Sequence, residues 1–260
     1  MSKPTLKRLI RKSTLGALLL GTHISLLDPA VSEAIGRAGF DFAIVDAIDA
    51  DCGDVGLSAL RNHLKNLAMT GTPSLVRVTI NEENHIARVL APGPDGIIFP
   101  GINTAEDALR VLSMTLPPPE GTRKINPLLE VGGAAGRAGD HLCRIIQLDT
   151  AESLRNIEDL VKIKHIDGFF FSPGGLCGED GDPGLLFGPD TYSLLSHAAR
   201  ILKKRKKPFG VSVARTGPRV LSFWFELGVG IAACGSDIGY ILEGSVDNIN
   251  QIRSGERSGY

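Results

Sequence analysis

The sequence predicts an α/β chain folded as a (β/α)8 TIM barrel, and three observations carry that expectation. Short apolar runs recur along the 260 residues, each ending in polar groups, as in Ile145-Ile146-Gln147-Leu148-Asp149-Thr150. The pattern returns at Ile44-Val45-Asp46, Leu75-Val76-Arg77, Ile97-Ile98-Phe99-Pro100, Phe169-Phe170-Phe171-Ser172-Pro173, Val211-Ser212-Val213 and Ala232-Ala233-Cys234-Gly235-Ser236-Asp237. An apolar run with a polar tip marks a parallel strand buried on both faces whose C-terminal end opens into a site. Helical segments separate the runs, and eight strand-then-helix units close into a barrel with one shared mouth. The length suits one such barrel as a single domain over residues 1–260.

The elements follow in order. Residues 5 to 12 read as a short basic amphipathic helix covering one end of the fold, and strand one runs from Ala17 to Ile24. Asp28 caps the next helix with Pro29 in first position, and Val31, Ala34, Ile35 and Ala38 form its apolar face up to Gly39. Strand two spans Phe42 to Asp46, and the helix from Val55 to Met69 buries Leu57, Leu60, Leu64 and Leu67. Ser74 to Val78 makes strand three, followed by a helix over 82 to 90. Asp95-Gly96 turns into strand four, and the helix from Ala105 to Met114 stops at Pro117-Pro118-Pro119. Glu120 to His141 is glycine-rich and aperiodic, which suits a long functional loop at the mouth. Strand five is the run ending at Thr150, with a helix from Ser153 to Ile163 behind it. Strand six spans Gly168 to Pro173 and enters an acidic glycine-rich loop through Gly181; a helix from Asp190 to Lys203 precedes strand seven at Phe209 to Ala214. Strand eight spans Gly230 to Gly235, and Ser245 to Arg253 is the last helix, at the C-terminus.

Composition excludes some partners. Lys+Arg 28 against Asp+Glu 29 gives a net charge of -1, without the basic excess of a nucleic-acid or membrane binder. The basic cluster Lys203 to Lys207 reads as a solvated turn. Cys52, Cys143, Cys177 and Cys234 lack Cys-x-x-Cys spacing, as expected of a reduced, cytoplasmic chain. The apolar run Leu15 to Leu20 leads into Gly21-Thr22-His23 without a cleavage pattern and reads as a strand, not a signal segment.

The C-terminal strand ends supply the candidate site residues: His23, Asp46, Asp49, Arg77, Gln147, Asp149, Ser172 and Asp237. Arg77 offers a planar fork of donors for a carboxylate or enolate oxygen, or else pairs structurally with a neighbouring carboxylate. Asp149 is either an oxygen ligand for a divalent cation or a hydrogen-bonded structural carboxylate. His23 is a general acid or base, or a packed residue. His63, His85, His165 and His197 fall on helices or before strands, where packing or surface roles suit them. Cys177 has no visible paired base and reads as a small loop residue.

Ala38-Gly39-Phe40-Asp41-Phe42, Val76-Arg77-Val78, Pro118-Pro119-Glu120-Gly121-Thr122-Arg123, Gln147-Leu148-Asp149-Thr150, Ser172-Pro173 and Gly235-Ser236-Asp237 occur in this order. Together they resemble the class II pyruvate aldolases of the HpcH/HpaI type, relatives of 2,4-dihydroxyhept-2-ene-dioate aldolase, from about Gly21 to Leu242. The resemblance implies a phosphoenolpyruvate/pyruvate-domain-like barrel. It also implies a divalent metal, magnesium or manganese, held by a strand-five Glu and an Asp after strand six. Metal and an Arg then stabilise a pyruvate enolate, while a His oriented by an Asp moves the proton.

Carried over by position, the Arg is Arg77 and the strand-five Gln is Gln147. The first metal ligand becomes Asp149 and the second falls on Gly175; the catalytic His falls on Asp49, its Asp partner on Ala91, and a strand-one Trp on His23. The expected site therefore has His23, Asp49 and Arg77 as catalytic residues. Arg77, Gln147 and the backbone at Ser172 and Pro173 bind substrate, and Asp149, with Glu179 or Asp180 swinging in, holds any retained metal. The expected function is a lyase making or breaking a carbon-carbon bond in a 2-oxo acid or related enolizable carboxylate. The alternatives are a metal-independent rearrangement or cyclisation, or non-catalytic carboxylate binding. Assembly as a homo-oligomer, hexamer or trimer, through exchanged C-terminal helices is also implied.

Overall fold

The computed structural model describes residues 5–46, 53–78, 81–123, 141–176, 188–213 and 218–254. The strands β1 (Leu19–Ile24), β2 (Phe42–Asp46), β3 (Ser74–Arg77), β4 (Gly96–Phe99), β5 (Cys143–Leu148), β6 (Gly168–Phe171), β7 (Phe209–Val213) and β8 (Ile231–Ser236) pair in parallel and in sequence order into a closed barrel. The expected (β/α)8 TIM barrel is the observed fold.

Side-chain alternation along each strand sorts the core into two parts. Leu19, Phe42, Ile44, Leu75, Ile98, Cys143, Ile145, Phe170, Ile231 and Ala233 point inward and form one cluster. The intervening positions, such as Val45, Val76, Ile97, Ile146, Phe169 and Val211, join the larger cluster between barrel and helices. Leu6 and Ile10 of the first helix, α1 (Leu6–Ser13), belong to the inner cluster, so α1 plugs one end of the barrel as the sequence suggests. At three of the four even strands, β2, β4 and β6, an aspartate just before the strand ties down its predecessor. Asp41, Asp95 and Asp167 accept from the backbone N–H of Leu20, Ser74 and Arg144 at 2.9, 2.9 and 3.0 Å. Their carboxylates satisfy donors at the barrel floor and keep consecutive strands in register.

The outer helices are α2 (Pro29–Arg37), α3 (Gly53–Thr70), α4 (Glu83–Leu90), α5 (Ala105–Ser113), α6 (Ala151–Arg155), α7 (Ile157–Leu160), α8 (Pro173–Leu176), α9 (Pro189–Lys204), α10 (Pro218–Glu226) and α11 (Asp237–Ser254). Asp28 caps α2 as expected, its Oδ1 accepting from Ala30 N at 2.8 Å. Three differences from the sequence reading have local causes. The helix expected from Ser153 to Ile163 is broken at Asn156, whose ψ of 9° leaves the helix and whose side chain donates to Asn103 O at 2.9 Å. α10 has no counterpart in that reading, although Pro218 at its start is a helix-opening signal and Trp224 is fully buried, stacked on Phe171 at 5.7 Å. α11 begins at Asp237, not at Ser245, because Ser236 Oγ accepts from Gly239 N at 3.2 Å and Asp237 Oδ1 from Ile238 N at 2.8 Å. Gly239 and Gly244 obscure that start by lowering helix propensity.

The described helices include none long and apolar enough to cross a membrane. In the basic cluster, Lys203 to Lys206 are exposed, whereas Lys207 is half-buried and donates to Ile166 O at 2.7 Å.

Candidate active site

Barrels of this kind stagger by about one residue per strand, which places inward residues from alternate strands in common layers. Following the observed register around the barrel with that step brings His23 of β1, Arg77 of β3, Gln147 of β5 and Ser212 of β7 into one layer. Below them the interior is apolar, so this is the polar floor of the mouth. Asp46, one step further out on β2, is the register partner of Arg77.

Asp46 is shared between its two neighbours. Arg77 Nε lies 2.7 Å from Asp46 Oδ1, with the N–H aimed off the oxygen, so the contact is an ion pair and not an aligned hydrogen bond. On the other side His23 Nδ1 is 3.6 Å from Asp46 Oδ2, within ion-pair range but longer than a hydrogen bond. Burial pushes the Asp46 carboxyl up, but His23 and the Arg77 guanidinium outweigh it and hold the group below the usual carboxylate range. The second His23 nitrogen, Nε2, is 2.9 Å from Ser212 Oγ. His23 is only 6% exposed, while Arg77 and Ser212 keep part of their surface open.

Asp149 sits beyond Gln147 on the same inward face. Its Oδ2 accepts from Gly101 N at 3.0 Å and from Gln147 Nε2 at 3.3 Å. Asp149 Oδ1 and Gln147 Oε1 are buried acceptors without a hydrogen-bond partner among the described residues. Ser172 N donates to Leu148 O at 3.0 Å, which leads the chain from β6 into α8 beside Asp149. There the backbone of Gly175 packs tightly: a Cβ on it would stand 2.5 Å from Asp149 O and 2.8 Å from Asp149 Cβ.

Asp237, the remaining candidate at a strand end, is a structural tie. Its Oδ2 accepts from Ser25 N at 2.9 Å and Leu26 N at 2.8 Å, pinning the loop after β1 to the start of α11. Asp49 and Glu179 lie outside the described residues, as do Cys177, Asp180 and most of the long loop after α5. The candidates that come together are thus His23, Asp46 and Arg77 in one group, and Gln147 and Asp149 in another. Ser212 was the residue missed. Its signal was a lone hydroxyl within Val211-Ser212-Val213, and a serine fits so easily into a strand that only the register shows it facing His23.

The profile of the HpcH/HpaI aldolase/citrate lyase family matches residues 20–240. The chain belongs to that family. Among its relatives, the 2-dehydro-3,6-dideoxy-6-sulfogluconate aldolase of Pseudomonas putida is 29% identical over 232 residues, 86% of this chain and 88% of the relative. The 5-keto-4-deoxy-D-glucarate aldolase of Klebsiella pneumoniae is 29% identical over 229 residues, 85% of this chain and 86% of the relative. The crystal structure of an HpcH/HpaI aldolase/citrate lyase family protein from Burkholderia cenocepacia superposes with a TM-score of 0.84 at 22% identity, covering 96% of this chain and 100% of that one.

Membership of this family raises the question of a divalent metal, and the donor set fits one in part. Asp149 Oδ1 and Gln147 Oε1 are hard oxygen donors with free lone pairs, the type that magnesium and manganese prefer. No cluster of three or more His, Cys, Asp or Glu suited to a metal occurs among the described residues. Gly175 adds no side-chain donor and leaves no space for one.

Proposed function

We propose that this barrel is a lyase that makes or breaks a carbon-carbon bond in a 2-oxo acid or related enolizable carboxylate. The observation that carries the reading is the placement of Arg77, half-exposed on the polar floor and oriented by Asp46 at 2.7 Å. A planar guanidinium held at the mouth suits the carboxylate of a 2-oxo acid and the enolate oxygen formed from it. The aldolase names of relatives at 29% identity agree with that chemistry.

In this reading Arg77 binds and orients the acid, Gln147 donates or accepts beside it, and the backbone at Ser172 and Pro173 lines the pocket. Asp149 Oδ1 and Gln147 Oε1 would hold magnesium or manganese, with any further ligand from outside the described residues, Glu179 being the candidate. When bound, such an ion acts as a Lewis acid toward the substrate oxygens. His23, and Asp49 if it reaches the mouth, handle the proton. Location in the cytoplasm and assembly as a homo-oligomer, hexamer or trimer, belong to the same proposal. The row of exposed apolar residues on α11, including Ile241, Leu242, Val246 and Ile249, supports the latter.

A second reading is favoured by one observation, the closure of the Gly175 position against Asp149. It makes the protein a metal-independent catalyst of a rearrangement or cyclisation, or a carboxylate binder without turnover. Calorimetric titration of the chelator-treated protein with oxalate or pyruvate, with and without manganese, separates the two. Metal-dependent binding of the acid supports the lyase; acid binding indifferent to metal supports the second reading.

A further inference from the structure

Each ring nitrogen of His23 faces a polar neighbour, Nε2 at hydrogen-bond distance and Nδ1 at ion-pair distance only. Nδ1 faces the Asp46 carboxylate at 3.6 Å and Nε2 faces Ser212 Oγ at 2.9 Å, while the ring itself is nearly buried. Ser212 is only partly buried and so is the more accessible of the two to a ligand in the mouth. We infer that Ser212 is a catalytic residue, the mouth-facing end of a proton relay running from Asp46 through His23. The inference rests on the lyase reading for its substrate, and on the three side chains alone for its geometry.

The direction of the relay follows from charge. The Asp46 carboxylate favours a proton on the nearer nitrogen, Nδ1, which leaves Nε2 as an acceptor. The Ser212 hydroxyl then donates to Nε2, and the lone pairs of its oxygen are left for the mouth. This is the arrangement that turns a hydroxyl into a proton acceptor wherever a carboxylate, an imidazole and a serine stand in line. Arg77 is a permanent cation on the far side of Asp46, so an imidazolium at His23 would place two positive groups around one carboxylate. A negative enolate forming beside them restores the balance, which couples proton uptake by His23 to substrate chemistry.

The substrate step is the cleavage of a 4-hydroxy-2-oxo acid. The C4 hydroxyl gives its proton to Ser212 Oγ as the serine proton passes to His23 Nε2. The C3–C4 bond breaks, its electron pair enters the C2–C3 enolate, and C4 becomes the carbonyl carbon of the departing aldehyde. The proton held at His23 then returns through Ser212 to C3, giving the methyl ketone of the released 2-oxo acid. No oxidant, reductant or net proton is required.

The test uses the full chain. Long-range proton-nitrogen correlation on histidine-labelled protein near pH 8 reads the His23 tautomer directly, independent of any substrate. The relay requires the Nδ1–H form, and an Nε2–H form would overturn it. Ser212→Ala should lower kcat for 2-oxo acid cleavage, or for exchange of pyruvate methyl protons in heavy water, by about a hundredfold or more. The KM should move little, and Ser212→Thr, which keeps a hydroxyl, should recover most of the loss. Ser212→Ala with unchanged kcat overturns the relay. A wild type that neither binds nor exchanges pyruvate overturns the lyase reading and the substrate step with it, while the tautomer still decides the geometry.

Discussion

Asp46 and Arg77 stand opposite each other as register partners on adjacent strands, and their side chains close to 2.7 Å. The pair sets the guanidinium before any ligand arrives, so its cost of ordering is met in folding and not in binding.

Removing that guanidinium should show in affinity first. Arg77→Ala is expected to weaken oxalate or pyruvate binding by about ten- to a hundredfold, the equivalent of one charge-assisted hydrogen bond at about 1.5–3 kcal/mol. Arg77→Lys keeps the charge but loses the planar fork, and should recover only part of the affinity. Titration calorimetry reads both, and a fully active lysine variant would argue for a simple point charge.

Gly175 offers a test of opposite sign to the usual rule. Alanine in place of a helical glycine commonly stabilises a protein. Here a Cβ would stand 2.5 Å from Asp149 O, so Gly175→Ala should instead lower stability by about 1–3 kcal/mol, the usual cost of overpacking. Gly175→Asp should fare no better and gain no manganese affinity. Urea denaturation with parallel metal titration checks both; a stabilised alanine variant would mean that α8 moves freely away from Asp149.

His63 gives a pH dependence. It is fully buried on α3; burial pushes its imidazole down, against weaker upward pulls from the backbone of Leu26 and from Asp237 and Asp28. A histidine with a lowered folded pKa contributes full stability above its unfolded value, about 6.5, and loses it as pH falls below that point. Urea midpoints should therefore fall between pH 7.5 and 5.5. His63→Leu should flatten that slope without abolishing it, because His85, also pushed down by burial, acts in the same direction. An unchanged slope in the variant would assign the effect to other groups.

The exposed apolar residues of α11 predict an assembly larger than one chain. Light scattering after gel filtration should give a multimer mass, and Leu242→Lys with Ile249→Lys should reduce it. A monomeric wild type at micromolar concentration would remove this support for the oligomer.

Much of the fold was legible because buried parallel strands write themselves as apolar runs. β2 was read to the residue, and Asp28 announced α2 through a capping rule that acts locally. The break at Asn156 was not legible, because it depends on a hydrogen bond to Asn103 on another connection. At the site, Arg77, Gln147 and Asp149 stood out as polar endings of apolar strands. The partner of His23 did not, since Ser212 reaches it across β8 and only barrel closure brings the two strands near. The tight seat of Gly175 was equally hidden, for a glycine in sequence does not say what its missing side chain would touch.

The lyase reading is tested by oxaloacetate decarboxylation by chelator-treated protein, with magnesium or manganese restored, in the wild type, in Asp149→Asn and in Arg77→Ala. The wild type should release pyruvate in a metal-dependent way, and that release should be lost or strongly reduced in Asp149→Asn and in Arg77→Ala. A wild type that releases no pyruvate above background with either metal would contradict the lyase reading and leave the metal-independent reading.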